Sequence, residues 1–286
     1  MSVFFVINPV AGRGRAKGVW SKIQKKIDIK YDYCFTSRAG EATYLAQKAW
    51  EQGFNTIVSV GGDGTIREIV KSLAGKEVKL GIIPAGTGND FARTVGIPED
   101  IEKSLDLIKR GNTRKVDVIS CNGEILINAA GAGLDAFVAD CVNNEVKFLK
   151  GSAAYIFAVI KTLLRFKPQE VEIILDGKVL KKRVWLVTVS NGRYYGGGMM
   201  ICPTAQPDDG YLDVSIVNEV GKLEILRFLP KVFTGRHTTH RSYETIRGKK
   251  VTIKSRSPIL VHTDGDIIGV TPKTFEVWPG AINIIS

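Results

Sequence analysis

The first part of the chain alternates between two hydrophobic periods. Continuous apolar runs at Val3 to Ile7, Thr56 to Val60 and Leu80 to Ile83 have the length of buried strands. Between and after them, apolar positions recur at i, i+3, i+4 and i+7. They are Ala42, Leu45, Ala46 and Ala49, then Ile66, Ile69, Val70 and Leu73, with Gly75 placed as a stop. Ile101, Leu105 and Ile108, followed by Gly111, make a last helix, and the polar Gly111-Asn112-Thr113-Arg114 reads as the way out of the domain. This alternation predicts a doubly wound α/β domain over residues 1–117, a parallel sheet covered on both faces. Such sheets bind ligands outside the carboxyl ends of their strands.

The texture then changes. Lys115 to Ser120, Ile125 to Ala130, Val171 to Asp176, Val184 to Ser190, Leu212 to Val217, Val251 to Lys254 and Ile259 to Thr263 are short and β-branched. Turn chemistry such as Asp176-Gly177 and Asp209-Gly210 separates them. They predict a mostly antiparallel β domain over 118–276, with a tail at about 277–286 returning to the first domain. Tyr155 to Phe166 is the exception, a helical pattern carrying Lys161 and Arg165 that suits either the domain core or a membrane interface. With no long linker, the two domains are expected to share an interface with a cleft.

Three glycine-rich segments follow predicted strands: Asn8-Pro9-Val10-Ala11-Gly12-Arg13-Gly14, Gly61-Gly62-Asp63-Gly64-Thr65 and Gly86-Thr87-Gly88-Asn89-Asp90. Glycine lets the backbone turn sharply and approach a ligand, and a helix that starts at the loop aims its free N–H groups back at it. That is a phosphate cradle. In a parallel sheet the three exits would converge on one crevice. Asp63 beside phosphates is repulsive unless a cation intervenes, so it predicts Mg2+ or a nearby lysine or arginine. Thr65, with Glu68 at capping-box spacing, has a plain structural alternative as a helix cap. Neither the P-loop pattern nor a well-placed dinucleotide fingerprint is present.

Composition narrows the partners. The formal charge is +11 and the pI is near 9.4, which suits nucleotide phosphates, nucleic acid or the anionic face of a membrane. The basic clusters lack interleaved stacking aromatics and no nucleic-acid recognition motif accompanies them, so nucleic acid is not the expected partner. Four scattered cysteines without a C-x-x-C pair suit reduced thiols in the cytosol. The N-terminus does not read as a signal peptide, and no apolar run reaches the ~20 residues of a membrane span. The expected location is therefore cytoplasmic, with peripheral membrane association. Three histidines are too few and scattered for a metal or triad argument. A homodimer is left open.

GGDGT at 61–65, NPVAGRG at 8–14 and GTGNDFAR at 86–93 together resemble the diacylglycerol kinase catalytic domain family. It includes the bacterial soluble lipid kinases and, more distantly, sphingosine and ceramide kinases. NAD kinases and phosphofructokinases share GGDGT-like loops, and the GTGND segment points away from them. The resemblance covers nearly the whole chain and implies ATP and Mg2+ as cofactors. It places Asn8, Pro9, Val10, Ala11, Gly12, Thr36, Gly61, Gly62, Asp63, Gly64, Thr65, Ile66, Arg67 and Thr87 around the nucleotide.

Two acidic segments follow. Pro207 to Asp213 is turn chemistry leading into a strand, and such turns also offer oxygens to hard cations. By resemblance it is a structural Mg2+ site, with the Asp209 carboxylate and the carbonyls of Gln206 and Tyr211. His262-Thr263-Asp264-Gly265-Asp266 ends an apolar strand, where a carboxylate could accept a hydroxyl proton. The family reads Asp-Gly-Glu there, and this chain has Asp266 in the glutamate position. Asp266 is the expected proton acceptor, with Asp264 and Asp63 as catalytic partners in a metal network with Asp209. Gly131 to Ala136 reads as a strand-to-helix turn.

The implied activity is transfer of the ATP γ-phosphoryl group to a lipid hydroxyl, diacylglycerol first, at an anionic membrane surface. A soluble acceptor such as NAD, or a silent nucleotide-binding protein at membranes, are the alternatives.

Overall fold

The computed structural model describes residues 2–145 and 152–286. The chain divides into two compact units, one of Met1–Val118 with Trp278–Ser286 and one of Ile119–Val277.

The first unit runs β1 (Val3–Ile7), α1 (Arg15–Lys26), β2 (Tyr31–Phe35), α2 (Glu41–Glu51), β3 (Thr56–Gly61), α3 (Asp63–Leu73), β4 (Lys79–Pro84), α4 (Asp90–Thr94) and α5 (Ile101–Arg110), and β5 (Thr113–Cys121) leaves it. The strands pair in parallel in the order β2-β1-β3-β4. Strands buried on both faces need continuous apolar runs, and every residue of β3 is buried. α1 packs Ala16, Val19, Trp20 and Ile23 with Phe5, Ile7, Val58 and Val60 into one core. α5 is capped by Asp100, whose side chain accepts from the Lys103 N–H, and stops at Gly111 with φ 66°, the left-handed position where glycine carries no Cβ penalty.

The second unit contains β6 (Glu124–Leu126), β7 (Ala129–Gly133), α6 (Leu134–Asn144), α7 (Ser152–Arg165), β8 (Gln169–Leu175), β9 (Lys178–Ser190), β10 (Leu212–Asn218), α8 (Lys222–Val232), β11 (Tyr243–Gly248), β12 (Lys250–Ser255), β13 (Leu260–Thr263), β14 (Asp266–Val270) and the start of β15 (Lys273–Ile285). Its pairings β7–β9, β8–β9, β9–β10, β10–β11, β8–β12, β7–β13 and β13–β14 are all antiparallel. β15 pairs with β12 over Lys273 to Glu276, and its later residues Asn283 and Ile284 run parallel to β4. The fold class expected from the hydrophobic periods is the one observed.

Two local expectations change. The apolar run from Ile125 to Ala130 is two strands, because at Ile127 and Asn128 the backbone turns its N–H groups to a side chain. α1 and α8 were not anticipated, and α8 holds Pro230 in its last turn. Among the described residues no helix is long and apolar enough to cross a membrane.

Candidate functional site

In the first unit the carboxyl ends of β2, β1, β3 and β4 lead to a cavity of about 380 Å3, lined by residues of all three glycine loops and by Thr36. The expected convergence is therefore met within this unit. Asn8 holds two loops at once. Its Nδ2 donates to Thr65 Oγ1 at 3.0 Å, and its Oδ1 accepts the Val10 N–H at 3.2 Å. Thr36 is fixed by its N–H to the Ile7 carbonyl at 2.8 Å.

The glycines are explained by close backbone approach. A Cβ on Gly62 would lie 2.9 Å from the Gly86 Cα, and one on Gly86 would collide with the Gly62 backbone. The second and third loops touch main chain to main chain, which no larger residue permits. Asn89, in the left-handed region at φ 54°, closes the third loop by accepting the Gly86 N–H at 2.9 Å. The Arg15 guanidinium donates to the Gly86 carbonyl at 2.7 Å.

One expectation for these loops changes. α3 starts at Asp63, with Gly62 at its N-cap and no side-chain cap bond. Glu68 makes no capping box with Thr65, since its carboxylate accepts the N–H groups of Gly40 and Ala42 at 2.9 and 3.1 Å. Asp63 Oδ1 accepts the Phe91 N–H at 2.8 Å, which ties the second loop to the helix after the third. Of the nucleotide set, Asn8, Pro9, Val10, Ala11, Gly12, Thr36, Gly62, Gly64, Thr65 and Thr87 line the cavity. Ile66 is buried in the packing of the unit. Gly61, Asp63, Ile66 and Arg67 are not among the lining residues.

Residues that the sequence reading did not single out also shape this site. Asn89 and Asp90 stood inside a quoted motif, and their roles emerge only from contacts. Asp90 is buried with its carboxylate 3.1 Å from Arg93.

In the second unit, Asp264 is a backbone clamp. Its Oδ1 accepts the N–H groups of Asn128 and Ala129, and its Oδ2 that of Ile127, each at 3.1 Å. Such a carboxylate positions a loop, and here that loop presents Asp266, exposed at the first residue of β14. Beneath it, buried His262 lies with Nε2 3.3 Å from Asp135 Oδ2, and its Nδ1 accepts the Gly265 N–H at 3.4 Å.

Asp209 sits on its turn with Oδ1 accepting the Tyr211 N–H at 3.0 Å and Oδ2 ion-paired to Arg247. Asp213 is the second residue of the following strand, β10. Burial pushes its carboxyl up, Arg247 opposes this, and Asp209 adds to it. Its Oδ2 is buried without a hydrogen-bond partner. Among the described residues no three His, Cys, Asp or Glu side chains gather as a metal site. The donor chemistry nevertheless fits a hard cation held by a carboxylate and backbone carbonyls, with an orphaned carboxylate oxygen beside it.

Known proteins match this arrangement along the whole chain. Residues 2–121 match the diacylglycerol kinase catalytic domain, and 128–286 match the YegS C-terminal NAD kinase beta sandwich-like domain. A diacylglycerol kinase of Bacillus subtilis (strain 168) is 32% identical over 276 residues, covering 94% of this chain and 91% of that protein. One of Mycobacterium tuberculosis (strain H37Rv) is 30% identical, covering 97% and 93%. A crystal structure of a diacylglycerol kinase from Bacillus anthracis str. Sterne superposes with a TM-score of 0.77 at 27% identity, covering 99% of this chain and 96% of that one. With its glycine loops, its two units and these matches, the chain belongs to the diacylglycerol kinase family of kinases.

Proposed function

We propose that the protein transfers the γ-phosphoryl group of ATP to the free hydroxyl of diacylglycerol, giving phosphatidic acid and ADP. The observation that carries this reading is the cavity at the strand ends, where three glycine loops meet at the N-terminus of α3. Free N–H groups and the positive end of a helix suit nucleotide phosphates. The Asn8–Thr65 bond and the Gly62–Gly86 approach hold the loops ready for them. Preorganisation of this kind does most of the work in phosphoryl transfer, where positioning and charge stabilisation dominate.

Asp266 takes the proton of the acceptor hydroxyl as the new O–P bond forms and the bond to ADP breaks. The Asp264 clamp and His262 set where that carboxylate stands, which matters because it is one methylene shorter than glutamate. Asp209, with the carbonyls of Gln206 and Tyr211, would hold Mg2+, which supplies positive charge that draws the turn and its carboxylates together.

A lipid acceptor is favoured over a soluble one by the match to diacylglycerol kinases, and the second unit also encloses a small apolar cavity of about 80 Å3, with room for a few carbons only. It is walled by Leu134, Val138, Val159, Trp185, Ile225 and Phe228, surroundings suited to hydrocarbon. The test offers the protein radiolabelled ATP and Mg2+ with diacylglycerol in mixed micelles, and separately with NAD. Label in a product migrating as phosphatidic acid supports the reading. Label in NAD alone overturns the acceptor.

A further inference from the structure

Gly131 to Ala136, a strand-to-helix turn by its sequence, carries chemistry of its own. Its strand, β7, lies between β13 and β9, and Gly131 stands directly opposite His262 on one side and Thr188 on the other. Paired residues of neighbouring strands share a face of the sheet, so His262, Gly131 and Thr188 form one row. With no side chain, Gly131 leaves a gap in that row. Asp135, in the first turn of α6, fills it. A Cβ on Gly131 would lie 1.8 Å from Asp135 Oδ2 and 2.6 Å from His262 Nε2, so only glycine lets the carboxylate reach the ring.

The side chains of His262 and Asp135 are each 1% exposed. Asp135 Oδ1 accepts the Ala136 N–H at 2.9 Å, while its Oδ2 accepts the Thr188 hydroxyl at 3.3 Å and lies 3.3 Å from His262 Nε2. The Tyr195 ring stacks on the imidazole with 5.8 Å between centroids. This set of partners places the ring's proton. A neutral imidazole has one N–H and one bare nitrogen, and its neighbours decide which is which. A carboxylate can only accept, so Nε2 holds the proton. Nδ1 is then bare, as the Gly265 N–H that reaches it across 3.4 Å requires. Gly265 is the residue between the Asp264 clamp and Asp266.

We infer that Asp135 is a positioning residue for Asp266: by fixing the tautomer of His262 it keeps Nδ1 open to the Gly265 N–H, and so holds the loop that presents Asp266. The inference rests on the reading of Asp266 as proton acceptor for its purpose. The hold on Gly265 stands on geometry alone. Asp264 ties the start of the loop to the backbone before β7, and His262 ties its middle residue to the buried pair. Two fixed points next to Asp266 leave its carboxylate little freedom, which is what a short side chain needs if it is to meet the acceptor hydroxyl.

Asp135→Asn separates tautomer from shape. The Ala136 N–H keeps the amide oxygen on the Oδ1 side, so the new NH2 group faces Nε2 and the ring's proton moves to Nδ1, where it meets the Gly265 N–H donor to donor. The full chain is labelled with 15N-histidine, whose nitrogen shifts tell a protonated ring nitrogen from a bare one. His262→Asn removes the His262 signals and thereby assigns them against His237 and His240. Wild type is expected to carry the proton on Nε2 and Asp135→Asn on Nδ1, with faster amide exchange at Gly265 in the variant. On diacylglycerol in mixed micelles, kcat of the variant should fall about tenfold or more while KM for ATP stays within about twofold. His262→Asn sets an amide oxygen where Nδ1 lies, with no need of Asp135, so in that background Asp135→Asn should change kcat by less than about twofold. A wild-type ring protonated on Nδ1 overturns the inference, and that result needs no variant to fold. So does a kcat that Asp135→Asn leaves unchanged, or a loss of equal size when His262→Asn is already present. The expected tautomers and Gly265 exchange in a protein that labels no lipid would instead keep the hold on the loop and remove the kinase reading.

Discussion

Individual residues of the glycine loops are chosen by what cannot fit beside them. Gly62 and Gly86 are small because two backbones meet there. Gly86→Ala should therefore push the loops apart, costing about 1–3 kcal/mol of stability as an overpacked site and weakening ATP binding by about tenfold or more. Denaturant titration and calorimetry would check both. The glycines were legible in the sequence as motifs. Their contact with each other was not, because twenty-four positions separate them in the chain and only the sheet joins them. The same holds for Asn8 and Thr65. His237 makes a different case. It is buried, donates from Nε2 to the Ile201 carbonyl at 3.0 Å and has no partner for Nδ1, and burial holds its pKa below the usual 6.5. The unfolded chain then binds the proton more readily than the folded one. Stability from this site is fully present above pH 6.5 and is lost as pH falls below it. Melting temperatures between pH 7.5 and 5.5 should drop less in His237→Gln than in wild type.

At the scale of elements, the run at Ile125 to Ala130 shows where hydrophobic period misleads. Its alternation suits one strand, but Asp264, more than a hundred residues later, draws three successive N–H groups out of the ladder. Asp264→Ala would orphan those donors and should cost about 2–4 kcal/mol, read as a lower denaturant midpoint. Asp264→Asn keeps the side-chain shape and one acceptor oxygen and should cost less. α1 kept its helical period in Ala16, Val19, Trp20 and Ile23, yet its many cations mask that period in a reading by apolar runs. α8 is short, and Pro230 near its end argues against a helix until tertiary packing of Ile225 and Phe228 is seen. The Asp209 turn gives a further expectation. Mg2+ should raise the melting temperature of wild type and leave that of Asp209→Ala unmoved, because the variant lacks the one carboxylate assigned to the ion. An equal shift in both would remove Asp209 from the metal.

For the whole molecule, the fold class was readable because continuous apolar runs alternate with helical periods in the first part of the chain, while short β-branched runs separated by turns dominate the second. The chemistry was readable only in part, since motif order carries the family while contacts carry the roles. The +11 charge belongs to this scale. Raising salt should weaken binding to anionic vesicles by screening, and binding indifferent to salt would contradict an electrostatic contribution. The central claim is that this kinase phosphorylates a lipid hydroxyl with Asp266 as proton acceptor. The most direct measurement is transfer of the γ-phosphate of ATP to diacylglycerol in mixed micelles by wild type and Asp266→Asn, with ATP binding measured on the same samples. The account predicts labelled phosphatidic acid with wild type, a loss of about a hundredfold or more in the variant, and equal ATP binding by both. Undiminished transfer by Asp266→Asn, or ATP binding by wild type without any labelled lipid, would contradict it.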